Sequence, residues 1–204
     1  MRKILVISII LSTVALAQND GLVKTYYPSG ALETEGNYAN GVRDGLWTFW
    51  YEGEVYQDYG EDGEPNTQDE GEGNDEWDST ETVLLDLDGD TFFDPPKKQM
   101  EGSYSLGNRE GLWTTWYLNS MRKEESNYTS GKLSGTIIRW YENGNKSEDG
   151  VYETGKQNGI WIWYYKTGIK KEQTRFVDGQ QDGLWLQWFT DGAKKSERKF
   201  TNGE

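Results

Sequence analysis

The chain has 204 residues, with 35 acids against 21 Lys and Arg for a formal charge of −14, and it has neither His nor Cys. That composition removes disulfides, imidazole or thiolate metal sites, and every Ser-His or Cys-His nucleophile. The acidity belongs to one stretch: residues 54–95 hold 16 Asp and Glu and no base, and the other 19 acids face 19 bases once Arg2 and Lys3 are set aside, so no basic face for nucleic acid is built.

At the start, Arg2 and Lys3 precede a mostly apolar run from Ile4 to Leu16 that closes on Ala15-Leu16-Ala17. A basic start, a short apolar run and a small-x-small end predict a cleavable signal peptide over residues 1–17. The run is too short to span a bilayer comfortably, and no Cys is present to carry a lipid. The expected product is secreted or periplasmic, with no transmembrane segment in the mature chain.

From Gly21 onward one phrase recurs. Gly45-Leu46-Trp47-Thr48-Phe49-Trp50-Tyr51 returns as Gly111-Leu112-Trp113-Thr114-Thr115-Trp116-Tyr117, and looser copies begin at Gly135, Gly159 and Gly183. The last four glycines are 24 residues apart, as are Gly21 and Gly45. A fixed period of this length marks a repeat array in which neighbours hold each other. With the first Gly of each copy as position zero, positions one to six alternate two sets of side chains rich in Trp, Tyr, Thr and Ile, the mark of a strand. Gly30, Gly144, Gly168 and Gly192 at position nine predict a hairpin turn, with Asn143-Gly144 and Asp191-Gly192 suited to type I′ and Ser120 standing where glycine is expected. A second, polar strand reaches an aromatic at position seventeen, as in Tyr38, Tyr128, Tyr152, Phe176 and Phe200, and a second turn glycine follows at position twenty. Two strands per 24 residues predict an all-β antiparallel meander. Lys194-Lys195-Ser196-Glu197 and Lys170-Lys171-Glu172 interleave charges, as a solvated strand face does.

The stretch from Glu35-Gly36-Asn37-Tyr38 to Gly45-Leu46-Trp47, echoed from Glu101-Gly102-Ser103-Tyr104 to Trp113, resembles the MORN repeat, in particular its bacterial variant, which recurs in antitoxin-like proteins. The resemblance covers 21–53 and 97–204, with Ile137 and Arg139 in place of aromatics in one copy. It implies an elongated, single-layer sheet of stacked hairpins that serves as a scaffold, or as a protein- or lipid-binding surface.

The acidic stretch 54–95 accounts for the 66 residues between Gly45 and Gly111, which is one period and 42 residues more. Lys97-Lys98 is expected to resume the repeat where Arg122-Lys123 stands in the next copy, so the insertion enters at a hairpin tip, where added chain costs least. Its Gly, Glu, Asp, Asn and Thr content is too polar to offset ordering, and disorder is expected.

Three constellations are candidates for a site. Trp47, Trp113, Trp161 and Trp185 occupy one position in four copies and are expected to line one face as a partner-binding surface; packing within the sheet is the plainer role for such rings. Asp86, Asp88, Asp90 and Asp94 place hard oxygen ligands as calcium sites do, but the glycine is one place off the EF-hand pattern and Lys97 stands where its bidentate Glu belongs, so a solvated loop with at most weak calcium is expected. Carboxylate pairs for glycoside hydrolysis could be drawn from the many acids, yet none sits on a rigid strand between aromatic walls. The sequence reads as an exported non-catalytic scaffold that binds a protein or a cell-envelope polymer. Its rivals are an antitoxin or immunity protein and, from another class, a carbohydrate-active or hydrolytic enzyme.

Overall fold

The computed structural model describes residues 20–53, 55–57, 82–85 and 96–204. The expected signal peptide, 1–17, lies outside them. The strands are β1 (Gly21–Tyr26), β2 (Leu32–Ala39), β3 (Val42–Trp50), β4 (Val55–Gln57), β5 (Thr82–Leu85), β6 (Lys98–Ser105), β7 (Asn108–Trp116), β8 (Arg122–Thr129), β9 (Lys132–Trp140), β10 (Lys146–Glu153), β11 (Lys156–Tyr164), β12 (Lys170–Val177), β13 (Gln180–Gln181), β14 (Gly183–Trp188) and β15 (Lys194–Phe200). All but β4 and β5 form one 13-stranded antiparallel sheet in which each strand pairs with its neighbours in sequence, β13 and β14 both lying against β12. There is no helix among the described residues, as the period-two alternation and the glycine turns require.

The insertion leaves the meander unbroken. β3 pairs with β6 in the same register as plain hairpins, Phe49 opposite Met100 and Trp50 opposite Lys98. Tyr51 N donates to Lys97 O at 2.9 Å, as Tyr117 N does to Met121 O across an ordinary turn. The equivalent of Arg122 is therefore Lys98, since these two face Trp50 and Trp116. The repeat resumes one residue later than the Lys97-Lys98 alignment predicts. Within 54–95, β4 and β5 form a two-stranded antiparallel ladder of their own.

Turn chemistry differs between the two ends of each hairpin. At Asn40-Gly41, Leu106-Gly107, Ser130-Gly131, Thr154-Gly155, Asp178-Gly179 and Asn202-Gly203 both residues have positive φ, which is what a type I′ turn needs. At the other end only the glycine does: Gly144 has φ 82 and Gly192 has φ 87, whereas Asn143 and Asp191 have ordinary φ. The type I′ assignment of Asn143-Gly144 and Asp191-Gly192 is thus corrected. Asn143 and Asp191 are there because their side-chain oxygens accept from the backbone N of Asn145 and Ala193, an Asx turn. Ser120 takes the glycine's left-handed conformation with φ 61.

A single-layer sheet has no second layer to cover its core, so each buried ring is enclosed by its own surroundings. Trp47, Trp113 and Trp161 are 1%, 1% and 0% exposed. Each lies over a glycine on the preceding strand, Gly36, Gly102 or Gly150, so closely that a Cβ there would overlap the indole. Each indole N–H donates to a backbone carbonyl one residue past that glycine, at Asn37, Ser103 or Val151. Tyr38, Tyr104 and Tyr152 meet the rings edge-on at 4.9–5.2 Å. Arg43 and Arg109 lie 4.3 Å over Trp47 and Trp113 and reach the hydroxyls of Tyr104 and Tyr128.

Neighbouring repeats are fastened by a second device. The hydroxyl at position six donates to the position-five carbonyl of the next copy: Tyr27 to Trp50, Tyr51 to Trp116, Tyr117 to Trp140, Tyr141 to Tyr164 and Tyr165 to Trp188, at 2.7–2.9 Å. Nearest-neighbour bonds of this kind are how a linear array gains cooperativity.

Candidate functional site

The sheet offers two unlike faces. The tryptophan face also carries position four, where Phe49, Thr115, Arg139, Trp163 and Gln187 follow one another. Phe49 packs at 6.2 Å from Trp47 and 6.4 Å from Trp113, and Trp163 at 5.9 Å from Trp161. Between these two fillers, Thr115 and Arg139 leave a groove of about 520 Å³ lined by Tyr51, Met100, Tyr117, Lys123, Glu124 and Tyr141, among others. Arg139 is fixed across it: Nε donates to Glu124 Oε2 at 2.7 Å and Nη1 to Glu148 Oε1 at 2.8 Å. Its neighbours on both adjacent strands are these same carboxylates, so the clamp follows from the register.

The opposite face carries positions one, three and five. Position one is aliphatic in five of six copies: Leu22, Leu46, Leu112, Ile160 and Leu184 are 51–61% exposed, and Thr136 is the exception. A repeated glycine bulge sets this row. Gly45 and its counterparts have positive φ, and Gly36 pairs with Trp47 while Asn37 pairs with Asp44, so Gly45 and Leu46 are extra on that side. Beyond the row lie Lys98–Glu101, Arg122–Glu125, Lys146–Asp149 and Lys194–Glu197 ion pairs, with Lys170 bonded to Gln173 at the same place in another copy. These pairs are exposed and contribute little to stability. They make this part of the face the solvated one expected from the charge pattern.

On this face Tyr164 donates to Asp149 Oδ1 at 2.7 Å, and burial together with that bond pushes its pKa from 10.0 up to about 12. A group held protonated by the fold stabilises it fully below the unfolded pKa and ceases to do so as pH rises through the folded one. The stability difference between wild type and Tyr164→Phe is therefore expected to be constant below about pH 10 and to fall between there and about pH 12. Urea denaturation of both proteins across that range checks it, and a difference that stays flat would show that the Asp149 bond does not hold the proton. Tyr27, Tyr117 and Tyr152 shift upward too, chiefly by burial, and cancel in the comparison.

Of the residues expected to bind a partner, Trp47, Trp113 and Trp161 do line up on one face, but they are buried. The expectation of a binding surface made of these rings is corrected: in a one-layer sheet the largest rings are consumed as core. Trp185 is only partly buried, because Thr174 replaces the floor glycine and the indole turns to Glu172 Oε1 at 2.7 Å instead of a backbone carbonyl. Asp86, Asp88, Asp90 and Asp94 lie outside the described residues. Among the described residues no acidic group of three or more could hold a metal ion, and no helix is long and apolar enough to cross a membrane. The aliphatic row and the Thr115 gap were both present in the sequence as positions one and four, hidden because the aromatics beside them dominate the pattern.

Residues 19–40 and 157–178 match the family model of the MORN repeat variant. No curated protein matches the chain. The matched segments contain hairpins β1–β2 and β11–β12, near opposite ends of one meander, and the hairpins between them keep the same register, bulge and tyrosine clamp. The chain therefore carries MORN-variant repeats, elements that are commonly protein- or membrane-binding.

Proposed function

We propose that the protein is an exported, non-catalytic scaffold whose aliphatic face binds a protein partner. The observation that carries this reading is the row Leu22, Leu46, Leu112, Ile160 and Leu184, exposed at one register position on the face opposite the buried tryptophans. These side chains lie outside the buried core, and a repeated exposed apolar stripe is a mark of an interaction surface. Successive positions of the row are two strands apart, about 10 Å, with Thr136 interrupting it between Leu112 and Ile160, so the stripe suits an extended partner better than a small ligand. Export is supported by Arg2, Lys3 and the apolar run closing on Ala15-Leu16-Ala17.

The test is a paired Leu46→Lys and Leu112→Lys variant, expressed with the full leader. Both side chains are exposed, so each change should move stability by no more than about 0.5 kcal/mol. Capture of the partner from an envelope extract should fall at least about tenfold. Equal capture by wild type and variant would remove the aliphatic row from the interface, and recovery of the uncleaved chain in the cytoplasm would remove export. Should the captured partner be a toxic protein that the scaffold silences, the scaffold is an antitoxin.

A further inference from the structure

We infer that the groove on the tryptophan face is a binding site for a neutral oligosaccharide of flat, β-linked rings. The site exists because of a departure from the repeat. Phe49 and Trp163 fill position four in the copies on either side, and Thr115 leaves that space empty beside a pinned Arg139. The resulting groove of about 520 Å³ has the size of a small-ligand site.

Its chemistry selects the class. The walls include the rings of Tyr51, Tyr117 and Tyr141, whose hydroxyls are already spent on backbone carbonyls, so they offer flat carbon faces rather than polar tips. Such faces suit the apolar C–H side of a sugar ring. The charges balance: Lys123, Arg139 and Glu124 line the groove and Glu148 is paired with Arg139, two bases against two acids, so neither an anion nor a cation is favoured. Arg139 remains 38% exposed while its two carboxylate bonds hold the guanidinium plane still. A fixed donor plane beside fixed carboxylate acceptors is what a ligand with alternating hydroxyl donors and acceptors requires.

The groove also has a period. A smaller cavity of about 290 Å³ follows in the next repeat and shares Tyr141 and Ser147 with the first. It again places an aromatic, Trp163, beside a base and an acid, Lys171 and Glu172. Consecutive sites are thus about 10 Å apart across two strand spacings, the reach of two linked sugar rings. An extended chain of β-1,4-linked hexoses fits that line, whereas an α-linked chain curls away from it. This site lies on the face opposite the aliphatic row, and it stands whether or not that row binds a protein.

The test is calorimetric titration of the full chain with cellohexaose and chitohexaose, with maltohexaose alongside. Binding of a β-linked hexasaccharide is expected, at least about tenfold tighter than maltohexaose. Thr115→Phe restores the filler that Phe49 supplies in an earlier copy and should abolish binding with no loss in melting temperature. Arg139→Gln should weaken binding at least about tenfold, and it decides the matter should Thr115→Phe fail to fold. The paired Leu46→Lys and Leu112→Lys variant should bind sugar as wild type does. No binding of either β-linked probe, equal binding of maltohexaose, or binding indifferent to both groove variants would overturn the assignment.

Discussion

Replacing Trp113 with Ala is expected to destabilise the protein by about 3–5 kcal/mol, the range for removing a buried large aromatic. The ring is 1% exposed, its N–H is bonded to Ser103 O, Arg109 covers it and two tyrosines meet its edge. Removing it strips the cover from Gly102 and leaves Arg109 over an empty site. Because the array is linear, the loss falls on the hairpin β6–β7 and its neighbours rather than on the whole sheet. Urea denaturation with hydrogen exchange should show amides of β6 to β8 losing protection before those of β11 and β12. Trp185→Ala gives the control: its ring is partly exposed and bonded to a side chain, so its cost should be well below that of Trp113→Ala. Equal costs at the two positions would mean that burial in this sheet is not what the tryptophans supply.

The fold was legible because it is written six times over. Period, turn glycines and alternation agree, and each copy corrects the accidents of the others. What stayed hidden depends on which neighbour a residue meets. Asn143-Gly144 has the residues of a type I′ turn, but Asn143 serves an Asx bond, and the dipeptide that does adopt two positive φ angles includes Leu106-Gly107, which no turn preference would select. The burial of Trp47, Trp113 and Trp161 was hidden for a related reason. A row of tryptophans on one strand face reads equally as platform or as core, and the deciding residue is the glycine on the neighbouring strand that lets the indole lie flat on the backbone. That glycine is eleven residues away in sequence and, at Gly36 and Gly102, directly opposite its ring in the sheet. The Thr115 gap was hidden because a missing filler is visible only once the fillers at Phe49 and Trp163 are seen to pack.

The pairing of floor and ring supplies the last expectation, and the chain contains its own precedent. In the third full copy Ser126 replaces the floor glycine, Ile137 replaces the tryptophan and Leu133 replaces the covering arginine, and both Ser126 and Ile137 are buried, at 2% and 1% exposure. A side chain on the floor and an indole above it compete for one volume. Gly102→Ser alone should therefore cost about 1–3 kcal/mol or more, since its Cβ would overlap the Trp113 ring. Trp113→Ile alone opens a void over the bare glycine. Together they rebuild the Ser126 and Ile137 arrangement, so the double variant should be more stable than the sum of the two losses predicts, by about 0.5–3 kcal/mol. Adding Arg109→Leu, which copies Leu133, should recover more, because it removes a guanidinium left without a ring beneath it. A double-mutant cycle by urea denaturation measures the coupling. Additivity of the two single changes to within about 0.5 kcal/mol would show that the third copy's Ser and Ile are independent accidents and not one repacked site.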